Sequence, residues 1–296
     1  MQKTTISVWG YEECSAQAQK LATVMDLDFQ MVQVHRFPDG ESLVKIPTTL
    51  PSHIILFRSL NQPNDKLIEL LLTVKTARQH GVLRITLIAP YLCYMRQDVE
   101  NTPGEAISQQ IIGPMLAELF DDVITVDSHL HRISRLEQAI PIKNAINLLA
   151  TDPIAAFISQ QFDKGLVFGP DKESEQWVSE LARKINFDYA VATKTRGGDK
   201  SVKIKLDEAN YQQRDIIILD DIASTGRTIG LATEQLLAAG AKSVNALVTH
   251  AVFGGDAKHY LQQIGLTHLW STNSIADETN VVDLSELIAN SIQSIC

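Results

Sequence analysis

The sequence is short of several features that define protein classes. Cysteine occurs only at Cys14, Cys93 and Cys296, an odd number of residues set far apart, with no CxxC pair. That excludes a disulfide framework, gives no hint of a zinc site, and fits a reducing cytosol. Positive charge is in deficit: 26 Lys and Arg stand against 35 Asp and Glu, for a net charge of −9. A chain this acidic is a poor candidate for non-specific nucleic-acid binding. Phosphorylated small molecules stay open, because they need only a local positive pocket and well-placed backbone N–H groups. No apolar run approaches the ~18 residues that suggest a membrane span. No basic stretch followed by an apolar run opens the sequence, so neither a signal peptide nor a membrane partner is expected, and the expected location is cytoplasmic. A Walker A loop, with its Gly-Lys-Ser/Thr, is also absent.

What is present describes a folded protein. Hydrophobic residues make up 45% and charged residues 21% of 296 residues. That length suggests about two domains and the burial of roughly three quarters of the unfolded surface. Short, nearly all-apolar runs recur at Ile54–Phe57, Ile85–Ile88, Val123–Val126, Ile216–Leu219 and Val244–Val248. They read as strands covered on both faces. Helical patterns lie between them, from an Asn64-Asp65 cap to about His80, and over Ile107–Leu119, Glu173–Ile185 and Ile229–Ala239. The alternation predicts an α/β fold with mostly parallel sheets flanked by helices. A helix–Gly–strand unit at Gly81–Ile85 recurs 159 residues later at Gly240–Val244. Such units are common in α/β proteins; read as a duplication, this one predicts two similar domains, residues 1–147 and 148–296, joined near 145–150. Pro153 then fits the first turn of a helix opened by Thr151 or Asp152.

Two segments carry chemistry. Phe37-Pro38-Asp39-Gly40 is a turn, followed by the alternating Ser42–Ile46, and together they predict a projecting hairpin. The strand Ile216–Leu219 runs into Asp220-Asp221-Ile222-Ala223-Ser224-Thr225-Gly226-Arg227-Thr228 and then a helix. The helix N-terminus offers unpaired N–H groups and the positive end of a dipole. Ser224, Thr225 and Thr228 can add hydroxyl donors, and Gly226 lets a phosphate come close. Two carboxylates beside a phosphate need another partner, such as ribose hydroxyls or Mg²⁺. The local alternative is an ordinary cluster of helix caps.

This loop resembles the ribose-phosphate loop of type I phosphoribosyltransferase-like proteins. Five further motifs stand in order: Phe37-Pro38-Asp39-Gly40-Glu41, Tyr94-Met95-Arg96-Gln97-Asp98, Val126-Asp127-Ser128-His129, Gly169-Pro170-Asp171 and Lys194-Thr195-Arg196. With the loop they make the chain, from about residue 30 to 256, similar to the ribose-phosphate pyrophosphokinases. The resemblance implies transfer of the diphosphoryl group of Mg-ATP to the 1-hydroxyl of ribose 5-phosphate, giving 5-phosphoribosyl 1-diphosphate and AMP. It implies an ATP site at Phe37, Asp39, Gly40, Glu41, Arg96 and Gln97. Ribose 5-phosphate would be held by Arg196, Asp220, Asp221, Ser224, Thr225, Gly226, Arg227 and Thr228. Mg²⁺ would be anchored by His129 and Asp171. Lys194 and Arg196 would be catalytic, opening a mobile loop through Gly197-Gly198-Asp199-Lys200. It further implies a homo-oligomer, with the hairpin reaching the adenine site of a neighbouring subunit.

Read locally, several of these residues are unremarkable: an exposed aromatic in a turn, a lone Arg-Gln pair, a solvated basic turn. His131 matches no position of the family pattern and reads as structural. The segment Val99–Ala106 departs from the pattern, carrying Glu100 and Glu105 where basic residues are common; its Pro103-Gly104-Glu105-Ala106 looks closer to archaeal-type members. Weak regulation by phosphate and ADP is therefore expected. Arg227 stands where Gly is frequent. A non-catalytic regulatory relative and a phosphoribosyltransferase remain as alternatives, and the retained His129, Asp171, Lys194 and Arg196 favour the enzyme.

Overall fold

The structure is a computed structural model that describes residues 5–197, 201–207 and 209–295. The chain divides into two compact units, residues 1–149 with 285–296, and residues 150–284.

The first unit is built on a six-stranded sheet. Its strands are β1 (Ile6–Gly10), β2 (Asp28–Met31), β5 (His53–Phe57), β6 (Arg84–Ile88), β7 (Asp122–Val126) and β8 (Asn144–Leu148). They lie in the order β2-β1-β5-β6-β7-β8, with every pairing parallel. Helices α1 (Ser15–Met25), α2 (Pro63–Gln79) and α3 (Ser108–Leu119) connect them. A separate antiparallel hairpin joins β3 (Gln33–Arg36) to β4 (Ser42–Lys45). All five residues of β5 and of β7 are buried, as expected where both faces of a parallel sheet are covered.

The second unit repeats this plan. Its strands β9 (Leu166–Gly169), β10 (Asp188–Val191), β13 (Asp215–Ala223), β14 (Ser243–Ala251), β15 (His268–Thr272) and β16 (Asn280–Val282) are ordered β10-β9-β13-β14-β15-β16, again all parallel. Helices α4 (Thr151–Gln161), α5 (Glu175–Ile185), α6 (Arg227–Ala238) and α7 (Ala257–Gln263) accompany them. The hairpin β11 (Thr193–Gly197)–β12 (Ser201–Lys205) occupies the place in the chain that β3–β4 holds in the first unit. Two units with one strand order and one inserted hairpin each are a duplicated fold. The offset that equates Gly81 with Gly240 also sets the start of β6 against the start of β14. Leu166, Phe168, Ile216, Ile218, Val244 and Ala246 form the sheet side of the second core, with Ile229, Ala232 and Leu236 of α6 laid on it.

Local boundaries differ from expectation in instructive ways. Helix α2 starts at Pro63, with Gln62 at φ 50° as its cap; Asn64 and Asp65 fall inside its first turn. Proline suits that first position because its missing N–H would be unpaired there anyway. Helix α4 opens at Thr151 behind Ala150, which puts Pro153 in its first turn as expected. The stretch near 145–150 expected to join the domains holds both the end of β8, an edge strand of the first sheet, and the division between the two units at Leu149 and Ala150. The chain's last helix, α8 (Ser285–Gln293), belongs with the first unit, where it packs on α1, although the domain expectation gave residues 148–296 to the second. No described helix is long and apolar enough to cross a membrane.

Candidate functional site

Parallel sheets collect loops at the carboxyl ends of their strands, and the candidate residues lie in such loops. The Asp220 loop follows β13. Asp220 and Asp221 are still in the strand, and α6 begins at Arg227. Between them Gly226 caps the helix at φ 68°, a left-handed conformation that L side chains rarely adopt. A Cβ there would also crowd the Leu261 side chain at 3.1 Å, so the turn favours glycine and the packing adds to it. The Gly254 amide donates to the Ser224 carbonyl at 3.1 Å and fixes the outer edge of the loop. The Arg227 guanidinium lies 4.7 Å from the centre of the Tyr260 ring. A Cβ on Gly230 would collide with that ring, so Gly230 is the residue that admits Tyr260.

The electrostatics of this loop are uneven. Burial, then the neighbouring Asp221 and Asp171 carboxylates, push the Asp220 carboxyl well above the usual range. A site that concentrates negative charge in this way is suited to a divalent cation or to hydroxyl donors, either of which would relieve it. Asp171 itself follows β9. Its side chain accepts from the Ser174 amide at 3.3 Å, and its carbonyl accepts from the Ser174 hydroxyl at 2.6 Å. Gly169 leaves the room that this hydroxyl fills.

His129 follows β7. Asp127, directly after the strand, has φ 39° and its amide donates to Leu148 O at 2.8 Å, and the Ser128 amide donates to Asn147 Oδ1 at 2.8 Å. The structure then brings His131 against His129, Nε2 to Nε2, with ring centroids 3.9 Å apart. Sequence reasoning had set His131 aside; an i, i+2 spacing in an extended loop was the available signal. Among the described residues no three His, Cys, Asp or Glu side chains form a group that could hold a metal ion, so His129 and Asp171 are candidate ligands without a preformed cage.

Arg96 and Gln97 sit in the turn after β6, with Arg96 exposed. Gln97 is fixed by the Ser108 hydroxyl, which donates to its Oε1 at 3.0 Å, and by its own carbonyl, which accepts from the Gln109 amide. Arg132 donates to Asp98 Oδ1 at 2.6 Å and so ties the loop of His129 to the loop of Arg96 and Gln97. Sequence reasoning missed that contact, since nothing in a sequence pairs residues 34 positions apart. Glu100 and Glu105 are exposed and accept from amides of their own loop: Glu105 from Asn101 and Thr102 at 3.0 and 3.1 Å, and Glu100 from Gly104.

The hairpin of Phe37 is tightly closed. The Phe37 amide donates to Glu41 O at 2.8 Å, Gly40 has φ 93°, and Asp39 accepts from the Glu41 amide at 3.1 Å. Phe37 is 41% exposed and meets His35 edge-on. The hairpin is held to α2 by the fully buried Glu69, which accepts from Arg36 at 3.1 Å and Ser42 at 3.0 Å on the hairpin and pairs with the buried Arg58. Burial opposes the Glu69 charge, but these donors outweigh it and hold the carboxyl below its usual range. Arg58 in turn lies 3.7 Å over the Tyr11 ring. This anchor was not legible in the sequence.

Lys194 and Arg196 occupy alternate positions of β11, opposite Ile204 and Val202 of β12. Their region reads as a strand and not as the basic turn suggested by the local sequence. Their side chains, and Gly198, Asp199 and Lys200 of the expected loop, lie outside the described residues.

Comparison with known proteins places this geometry. Residues 6–119 match the model of the N-terminal domain of ribose phosphate pyrophosphokinase, and residues 134–277 match a phosphoribosyl transferase domain. A ribose-phosphate pyrophosphokinase of Saccharolobus solfataricus is 32% identical over 93% of this chain and 96% of its own length. One from Sulfurisphaera tokodaii is 32% identical over the same shares. Among solved structures, the phosphoribosylpyrophosphate synthetase of Mycobacterium smegmatis superimposes with a TM-score of 0.83 at 21% identity, covering 98% of each chain, which establishes the shared fold.

Proposed function

The chain belongs to the ribose-phosphate pyrophosphokinase family and is an enzyme of that kind, and we propose that it takes ATP and ribose 5-phosphate as substrates, with Mg²⁺, in the loops at the carboxyl ends of its parallel strands. The observation that carries this reading is the loop after β13. It combines a left-handed Gly226, a helix N-terminus and a hydroxyl-rich turn with two carboxylates already crowded with negative charge. A phosphate fits the first group of features and a ribose ring the second.

In this reading the 5-phosphate lies on the amides and hydroxyls of Ser224, Thr225, Gly226, Arg227 and Thr228. Asp220 and Asp221 accept hydrogen bonds from the ribose hydroxyls and so orient the 1-hydroxyl. That hydroxyl attacks the β-phosphorus and gives up its proton to water, the bond from β-phosphorus to the α-phosphate oxygen breaks, and AMP leaves. Lys194 and Arg196 meet the charge that builds on the migrating diphosphoryl group, and Arg196 also contacts the sugar phosphate. The nucleotide is held by Arg96 and Gln97, with adenine stacked on Phe37 and its amine and ring edge met by Asp39, Gly40 and Glu41. His129 and Asp171 are the residues that would hold Mg²⁺, which when bound would neutralise phosphate charge. The exposure of Phe37 at a hairpin tip supports its use by a neighbouring copy in a homo-oligomer.

The test is release of AMP from ATP. Release that requires both ribose 5-phosphate and Mg²⁺, with 5-phosphoribosyl 1-diphosphate as co-product, is expected. Nucleotide binding without turnover would instead identify a regulatory relative, and consumption of added 5-phosphoribosyl 1-diphosphate a phosphoribosyltransferase.

A further inference from the structure

His131 has no place in the family pattern and none in the proposed reaction, yet it lies against a residue that has both. Residues 128–130 form neither helix nor turn. In an extended chain, positions two apart project to the same side. His129 and His131 do so: their Nε2 atoms are in contact, and their rings are inclined at 61°. His129 is half-buried and His131 exposed, so the pair is open to solvent.

The surroundings hold this pair and do not oppose a cation. The Ser128 amide is tied to Asn147 Oδ1 and the Arg132 guanidinium to Asp98 Oδ1, which fixes the loop on both sides of the rings. The second tie also balances the charge. Arg132 is the one Lys or Arg among residues 127–132, and it is matched by the Asp98 side chain, which is only 6% exposed. The other Asp98 oxygen, Oδ2, is buried with no hydrogen-bond partner. A positive ion at the two rings therefore meets no unmatched positive side chain within its own loop.

Two imidazole nitrogens that face each other can share a proton or an ion. Which ion follows from donor chemistry. Mg²⁺ takes oxygen ligands and keeps several waters, whereas the first-row transition cations accept imidazole, with affinity rising from Mn²⁺ through Co²⁺ to Ni²⁺. Nitrogens that share such an ion at about 2.1 Å each stand about 3 Å apart, so a small rotation of the exposed His131 ring seats one. Water and substrate phosphate oxygens would complete the coordination, since no third His, Cys, Asp or Glu joins the pair among the described residues.

We propose that His131 is a second cation ligand beside His129, and that the pair makes this site take Co²⁺ or Ni²⁺ ahead of Mg²⁺. The proposal rests on the reading of His129 as a ligand and adds the residue that sets the choice of ion.

Calorimetric titration of the full chain with CoCl₂ and with MgCl₂, without substrates, tests it. The wild-type chain binds Co²⁺ at least about tenfold more tightly than Mg²⁺. His131→Gln keeps a hydrogen-bonding partner for His129 but removes the nitrogen ligand. It weakens Co²⁺ binding at least about tenfold and leaves Mg²⁺ binding nearly unchanged. His131→Asp exchanges nitrogen for carboxylate oxygen, strengthens Mg²⁺ binding and narrows the preference. The far-ultraviolet circular dichroism of both variants matches the wild type, because the side chain is exposed. A wild-type chain without preference for Co²⁺, or Co²⁺ binding indifferent to His131→Gln, would overturn the second ligand and leave the reading of His129 standing. Co²⁺ binding that also survives His129→Ala would remove both histidines from the site.

Discussion

Two side chains carry the clearest expectations for the reaction. Lys194, on β11, is the cation assigned to the transferring group. Lys194→Ala should lower turnover on the order of 10²–10³-fold while leaving ATP binding nearly intact, the usual consequence of removing one preorganised charge from a transition state. Stopped AMP assays beside equilibrium ATP titration check this, and near-normal turnover would remove Lys194 from that role. Asp220 is assigned to the sugar. Its carboxyl is already held high by burial and by Asp221 and Asp171. Asp220→Asn keeps the shape without the charge. KM for ribose 5-phosphate should rise more than KM for ATP; equal changes in both, or a change for ATP alone, would place the residue elsewhere. Both residues were legible as candidates because their motifs are continuous in sequence. His131 and Arg132 were not, since their significance lies in the spatial neighbours His129 and Asp98.

At the level of elements, the hairpin and the loop after Asp98 make separate predictions. The β3–β4 hairpin depends on Glu69, a residue of α2. Arg36→Ala removes one donor to Glu69 and leaves Arg58 to pair with it. The hairpin should loosen and raise KM for ATP roughly three- to tenfold, about 1 kcal/mol, the scale of one charge-assisted hydrogen bond. KM for ribose 5-phosphate should stay put, and a matching rise in both constants would mean that the hairpin does not serve the nucleotide alone. The segment 99–106 spends its carboxylates on its own amides. Hydrogen bonds from Asn101 and Thr102 hold the exposed Glu105 below the usual carboxylate range. That leaves an acidic loop where an effector phosphate would need cations. Activity without added phosphate is expected, together with ADP inhibition that excess ATP relieves fully. Strict phosphate dependence, or inhibition that persists at saturating ATP, would show an effector site supplied from elsewhere. The hairpin itself was readable from its Pro-Asp-Gly turn and alternating strand. Its anchor was not, because the tie to Glu69 spans about thirty residues.

For the molecule as a whole, acid stability should be governed first by a residue far from the proposed chemistry. His53 of β5 is 2% exposed and shares a hydrogen bond with Thr86 at 2.9 Å. Burial, reinforced by Arg84, lowers its pKa from 6.5 to about 4. The unfolded chain therefore binds a proton below pH 6.5 that the folded chain refuses until about pH 4. Stability is complete above pH 6.5 and is lost as pH falls through that window, by up to about 3 kcal/mol. Asp122 and Glu69, whose folded pKa values are lowered, act in the same direction but only in a lower pH range. Urea unfolding at pH 7.5 and pH 5 checks this. His53→Asn should be less stable at pH 7.5 yet lose much less between the two; an unchanged slope would exclude His53 as the cause.

The sequence by itself determined the α/β class, the repeated helix–Gly–strand unit and the order of the candidate motifs. Each of these is written in local signals: short, nearly all-apolar runs, helix stops at Gly81 and Gly240, and the continuous stretch from Asp220 to Thr228. These depend on neighbours a few residues apart, which is the range over which backbone propensity and periodicity act. Only the tertiary structure decided that residues 144–148 form an edge strand, that the chain's last helix returns to the first unit, and that Arg58 and Glu69 sit inside α2 and its neighbours while Ile68, Leu71 and Leu72 face water. The reason is the same in each case. A sheet edge, a returning helix and a buried ion pair are settled by competition among distant segments for the same surface. An apolar side chain carries no sign of whether that surface lies within its own chain or on another.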